Sequence, residues 1–140
     1  MANAESQDIA GLRPIETLQL PGVRIYAEAW GKPTDVGVVA QVKGLDVGAC
    51  WIRLLPIGTG LASMDAETPQ LGIALEPDCQ HRGYGRPLLL ETLRLAAAAG
   101  YRRVSLTVHP ANPAQWLYES CGFRKVELRG SYQLMVAALA

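Results

Sequence analysis

Between Ile73 and Leu90 the chain passes from an apolar strand pattern through a glycine-rich turn into the start of an apolar helix, with Gly83 and Gly85 at the turn. No other stretch says as much about the fold. Either glycine can take backbone angles closed to residues with side chains and lets the main chain approach a ligand closely. Amides at the following helix start then point at an anion, with the positive end of the helix dipole behind them. Downstream, Val108 to Phe123 supplies a second strand end, a helix that Asn112 caps with Pro113 at its first position and Gly122 beyond its end, and Tyr118 placed along it.

The strand before the turn, Gln70 to Leu75, alternates Leu71, Ile73 and Leu75 on one face with Gly72 and Ala74 on the other. That second face is shallow enough for a helix or an elongated ligand to lie close. Pro87 suits the first turn of the helix, where a missing N–H costs nothing, and Gly100 ends it after about Ala99. Leu89, Leu93, Ala96 and Ala97 form its buried stripe, and Glu91 and Arg94 face water. Val104, Leu106 and Val108 alternate with Ser105 and Thr107 in the next strand, and Phe123–Glu127 and Tyr132–Val136 read as an antiparallel pair. Upstream, Val36 to Val42 and Ala49 to Leu55 read as antiparallel strands joined through Lys43–Gly48. Pro14 and the stretch from Val23 to Trp30 read as short helical pieces interrupted by Pro21-Gly22. Residues 1–11 read as a flexible tail and 12–140 as a single domain.

Thirteen basic residues balance thirteen acidic ones, without a run of like charge, so nothing announces a nucleic acid or an acidic membrane as partner. No apolar stretch reaches the ~18 residues that span a bilayer, and the first dozen residues lack a secretory pattern, so a cytoplasmic protein is expected. Cys50, Cys79 and Cys121 are widely spaced and odd in number, which argues against a disulfide framework or a metal site.

Gln80-His81-Arg82-Gly83-Tyr84-Gly85, followed about thirty residues later by Asn112 and by Leu117-Tyr118-Glu119-Ser120-Cys121-Gly122-Phe123, resembles the pair of motifs that marks the GNAT superfamily of N-acetyltransferases. The likeness extends from about Trp30 to Met135. It implies an α/β fold with a mixed, mostly antiparallel sheet flanked by helices. It also implies acetyl-CoA as co-substrate, held between splayed fourth and fifth strands. Carried over by position, the main chain of Ile73, Ala74 and Leu75 would pair with the pantetheine arm, and the loop from Gln80 through His81, Arg82, Gly83, Tyr84, Gly85 and Arg86 would seat the pyrophosphate. Asn112 and Tyr118 complete the cofactor set, and no metal is implied. Only about 35 residues precede Val36, so the N-terminal region is shorter than the resemblance leads one to expect, with the first strand absent or rudimentary.

The implied reaction is direct transfer of an acetyl group to a primary amine of a small molecule or peptide. Such a transfer needs a neutral amine, a donor for the oxyanion and a proton for the departing thiolate. Tyr118 matches the family's general acid. The position where many members carry a glutamate holds Gln70, which leaves Glu76 and then His109 as candidate bases, acting directly or through water, unless the amine arrives neutral and needs none. Two other classes remain open on sequence: an acyl-CoA-binding module without catalysis, and a different nucleotide-binding enzyme. An exposed sheet edge would favour a homodimer.

Overall fold

The structure, a computed structural model, describes residues 23–28, 35–77 and 83–139. Along the chain run β1 (Val23–Glu28), β2 (Val36–Val42), β3 (Leu45–Arg53), β4 (Gln70–Leu75), α1 (Gly85–Ala98), β5 (Arg103–Val108), α2 (Ala114–Ser120), β6 (Phe123–Arg129) and β7 (Tyr132–Ala138). The strands form one sheet in the order β1-β2-β3-β4-β5-β7-β6, with β4 and β5 parallel and every other pair antiparallel. This is the mixed, mostly antiparallel α/β architecture that the sequence implied.

The largest departures from expectation lie upstream, while β3 ends two residues early at Arg53 and β6 and β7 run two residues further, to Arg129 and Ala138. Val23–Glu28 is a strand paired along its whole length with β2, not a helical piece, so a first strand is present. Its alternation of Val23, Ile25 and Ala27 is too short to nucleate a helix, and β2 offers it a ready-made ladder. The expected tail at residues 1–11 and the reading around Pro14 lie outside the described residues. The β2–β3 hairpin closes at Lys43-Gly44, whose φ values of 52° and 80° suit the two-residue turns that match strand twist. Strand β3 therefore starts at Leu45, and Asp46 and Gly48, which read as loop, are part of it. Gly48 has a packing reason to be there: a Cβ would fall 2.4 Å from Leu75 Cδ2.

One face of the sheet carries the core. Val38, Cys50, Ile52, Val104 and Met135 meet Leu88, Leu89 and Leu93 of α1, all almost wholly buried. At about 25 cal/mol per Å², each large apolar side chain contributes about 1.5–3 kcal/mol. The buried stripe of α1 is wider than predicted, since Leu88, Leu90 and Thr92 join it while Ala97 is only half-buried. Thr92 fits an apolar site because its hydroxyl donates to the Leu88 carbonyl at 2.8 Å.

The opposite face is closed differently. Trp51 lies over Gly72, where a Cβ would come within 2.5–2.7 Å of the indole. The shallow second face of β4 is thus filled at that point by a tryptophan rather than by a helix or ligand. Farther along, the β3–β4 connection crosses the sheet, held by Ser105 Oγ donating to the Ala62 carbonyl at 2.8 Å and by Arg129 donating to the carbonyls of Leu61 and Ser63. Among the described residues no helix is long and apolar enough to cross a membrane.

Candidate functional site

Strands β4 and β5 touch and then part. Their only register pair is Gln70 with Ser105, reinforced by the Ser105 N–H donating to Pro69 O at 3.0 Å. Main-chain groups in a strand alternate sides, so once Pro69 faces β5, Leu71, Ile73 and Leu75 face that side too. Ala74 pairs with Ala49 of β3, and the Glu76 N–H donates to Val47 O at 2.8 Å, so the main chain of Ala74, expected to meet the pantetheine arm, is turned toward β3 instead. A wedge therefore opens beyond Gln70, with the main chain of Ile73 directed into it.

A cavity of about 420 Å³ fills the α1 side of this wedge, lined among others by Ile73, Leu75, Gly83, Gly85, Asn112 and Tyr118. Residues that are distant in sequence meet there. Gly83 has φ 85°, a left-handed angle that strains any side-chain-bearing residue. Gly85, buried at the first residue of α1, has no room to spare: a Cβ would stand 3.1 Å from Leu117 Cδ2 and 3.7 Å from Leu75 Cδ1. Amides in a helix's first turn lack acceptors within the helix, and here the turn opens onto the cavity. Tyr84 is the N-cap residue of α1, and Gln80, His81 and Arg82 lie outside the described residues. Asn112 Oδ1 accepts from the Ala114 N–H at 2.9 Å and so closes the turn into α2, one residue ahead of the N-cap position, which Pro113 rather than Asn112 occupies.

Tyr118 is buried, with its ring edge-on to Phe123 at 5.9 Å between centroids. Burial, with a smaller effect from nearby Cys50, pushes its phenol above the ordinary tyrosine range, so the group is held protonated. Arg86, foreseen as a phosphate ligand, reaches toward α2 instead: its Nη1 donates to Ser120 Oγ at 2.8 Å and to Ser120 O at 3.3 Å, and lies 3.8 Å from Cys121 Sγ.

The proton acceptors are not gathered with Tyr118. Glu76 is exposed on the opposite face of β4, where it lines a groove of about 320 Å³ with Val39, Asp46 and Ala74. Gln70 is structural: its Nε2 donates to Thr59 O at 2.7 Å and ties down the preceding loop. His109 Nδ1 accepts from the Ala111 N–H at 3.1 Å, which ties the ring to the turn after β5. The Cys50 thiol is fully buried and pushed up to about 12 by desolvation, which makes it inert at neutral pH.

A larger hollow of about 780 Å³ lies at the start of β5, lined by Asp65, Thr68, Tyr101 and Arg103 and crossed by the Asp65–Arg103 ion pair. It contains none of the motif residues, so size alone does not mark the site. Sequence reasoning missed Ala114 and Leu117 in the cavity wall. Their signal was present, since Ala114, Leu117, Tyr118 and Cys121 share one helical face by their spacing.

Residues 33–125 match the family model described as Acetyltransferase (GNAT) domain. No curated protein matches the chain. Among solved structures, a GNAT-family acetyltransferase from Streptococcus pneumoniae is 24% identical with a TM-score of 0.67, over 79% of this chain and 70% of that one. The PaiA N-acetyltransferase of Thermoplasma acidophilum, in complex with coenzyme A, is 22% identical with a TM-score of 0.61, over 74% of this chain and 60% of its own. A phosphinothricin acetyltransferase from Sinorhizobium meliloti, in complex with AcCoA, is 19% identical with a TM-score of 0.62, over 76% of this chain and 62% of its own. At these identities the structures show a shared fold, and this chain spans less than two thirds of the two complexes.

Proposed function

The chain belongs to the GNAT family of acetyltransferases, and from that premise we propose that it moves an acetyl group from acetyl-CoA directly to a primary amine of a small molecule or peptide. The observation that carries this reading is the wedge between β4 and β5, with a glycine turn and helix start at one end and a buried phenol on its wall. Acetyl-CoA, when bound, supplies the acetyl thioester. The site fits such a group: one strand edge faces the gap, and the close approach of Gly85 to Leu117 leaves a channel that a Cβ would narrow. Ile73 would pair with the amide arm through its main chain, flanked by Ala74 and Leu75. Gly83, Tyr84, Gly85 and Arg86 would offer the helix-start amides to the pyrophosphate, together with the motif residues Gln80, His81 and Arg82. Asn112 shapes the mouth.

Tyr118 holds a proton at Oη and gives it to the departing sulfur, a thiolate with an ordinary pKa of roughly 8.5. The α1 face is taken by the cofactor channel, so the amine arrives from the opposite face. There Glu76, with Asp46 in the same groove, is a carboxylate that would hold an ammonium or accept its proton. The same reading makes residues 12–140 one domain of a cytoplasmic enzyme. Exposed Val126 and Leu128 on the edge strand β6 support pairing of two copies. Calorimetric titration with acetyl-CoA, followed by thiol release across a panel of amines, tests the proposal. Binding with amine-dependent release upholds it, binding without release makes the chain a non-catalytic acyl-CoA binder, and no binding removes the reading.

A further inference from the structure

We propose that Arg86 is a positioning residue, whose guanidinium clamps the end of α2 to the first turn of α1 and so fixes where Tyr118 stands on the cavity wall. The inference rests on the acid role proposed for Tyr118. Helix α2 has seven residues, well short of the roughly 12–15 at which an isolated helix becomes even marginally stable, so tertiary contacts must hold it. One is the packing of Leu117 against Gly85. Another is Arg86 Nη1, which donates to Ser120 Oγ at 2.8 Å and to Ser120 O at 3.3 Å, 34 residues away in sequence. Ser120 Oγ in turn donates to the Leu117 carbonyl at 2.7 Å, which passes the restraint back along the helix.

Tyr118 sits between these two anchors, and both come from adjacent residues of α1. A guanidinium at the carbonyl end of a helix also complements the negative end of its dipole, and its bonds are charge-assisted. An ion pair from α2 to β6, Glu119 with Lys125 at 4.0 Å, is partly exposed and contributes little. The turn that opens onto the cofactor channel thus also sets the position of the acid, so a displaced α2 would leave the channel formed but the phenol misplaced.

Arg86→Met keeps the alkyl stem and removes the donors. The expected result is a kcat lowered by about ten- to a hundredfold, the scale of a misplacement near 1 Å, with acetyl-CoA affinity within about twofold of wild type. Added to Tyr118→Phe, the same change should cost no more than about twofold further, because both act through one phenol. NMR of protein labelled at the tyrosine ring carbon gives a readout independent of turnover: the Tyr118 resonance should titrate at lower pH in Arg86→Met than in wild type, as the ring loses its buried site. Ser120→Ala, at an exposed position, should move the resonance the same way by less, and it serves if the arginine variant does not fold. An unmoved Tyr118 titration in these variants overturns the clamp. So does weakened acetyl-CoA binding with an equal loss of rate in both Tyr118 backgrounds, which would make Arg86 a direct phosphate ligand. A wild type that releases thiol with no amine strikes the proposed function itself, and the tyrosine titration then decides the clamp alone.

Discussion

Replacing Gly85 with alanine should separate folding from cofactor binding. Gly85 does not use a left-handed backbone angle, so alanine fits its conformation, and only the space around the new methyl decides the outcome. That methyl would stand 3.1 Å from Leu117 Cδ2, tight by a few tenths of an ångström, and 3.7 Å from Leu75 Cδ1, an ordinary contact. The tight partner is the end of a flexible side chain bordering a cavity, so it can turn aside. Alanine is favoured over glycine in a helix interior by up to about 1 kcal/mol and by less at the first residue, which offsets a contact cost of similar size. Stability should therefore change by no more than about 1 kcal/mol.

Binding should respond more strongly. The methyl and the displaced Leu117 enter the channel beside the helix-start amides, and losing one hydrogen bond to a charged phosphate costs about 1.5–3 kcal/mol. That corresponds to roughly ten- to a hundredfold in Kd. Thermal melting and calorimetric titration with acetyl-CoA on the same preparation give both numbers. An alanine variant that binds as tightly as wild type would place the cofactor elsewhere, and one that fails to fold would refute the account of Leu117.

Tyr118→Phe should lower kcat about a hundredfold, within the usual range for acid catalysis, and leave acetyl-CoA affinity unchanged in calorimetry. Glu76→Gln should lower kcat/KM for the amine about tenfold at neutral pH without altering acetyl-CoA binding, read from steady-state thiol release at varied amine. Folding stability should fall as pH rises above 9.0: the unfolded Cys50 thiol then loses its proton while the folded one keeps it until about 12, a slope near 1.4 kcal/mol per pH unit. The Tyr118 phenol, raised by burial, has the same sign and adds to the decline above its ordinary value. Urea unfolding of wild type and Cys50→Ala at pH 8 to 10.5 should show a shallower decline in the variant.

The sequence disclosed elements whose signal is local. The Gly83 to Leu90 turn and helix start and the alternation of β5 lie where the pattern put them, and the turn at Asn112 lies within one residue of it, because each depends on neighbours a few residues away. Strand β1 and the start of β3 were misread for the opposite reason. Val23–Glu28 is a strand because β2 lies beside it, and Gly48 belongs to a strand because Leu75 reaches across it. The cofactor channel was legible through its two motifs, yet their meeting depends on β4 and β5 parting after one pair, which no residue pattern encodes. Arg86 is the clearest case: a basic residue in a phosphate loop invites a phosphate role, and only the packing of α2 reveals Ser120 within its reach. Glu76 and Tyr118 could be named singly, but strand alternation had to be fixed before they could be assigned to opposite faces.

Amide hydrogen exchange with and without acetyl-CoA reports where the cofactor lies as well as whether it binds. Bound acetyl-CoA should slow exchange at Ile73 and at the first amides of α1, around Gly85 and Arg86, with little change near Tyr101 and Arg103. Protection confined to the hollow at the start of β5, with exchange at Ile73 and Gly85 untouched, would contradict it.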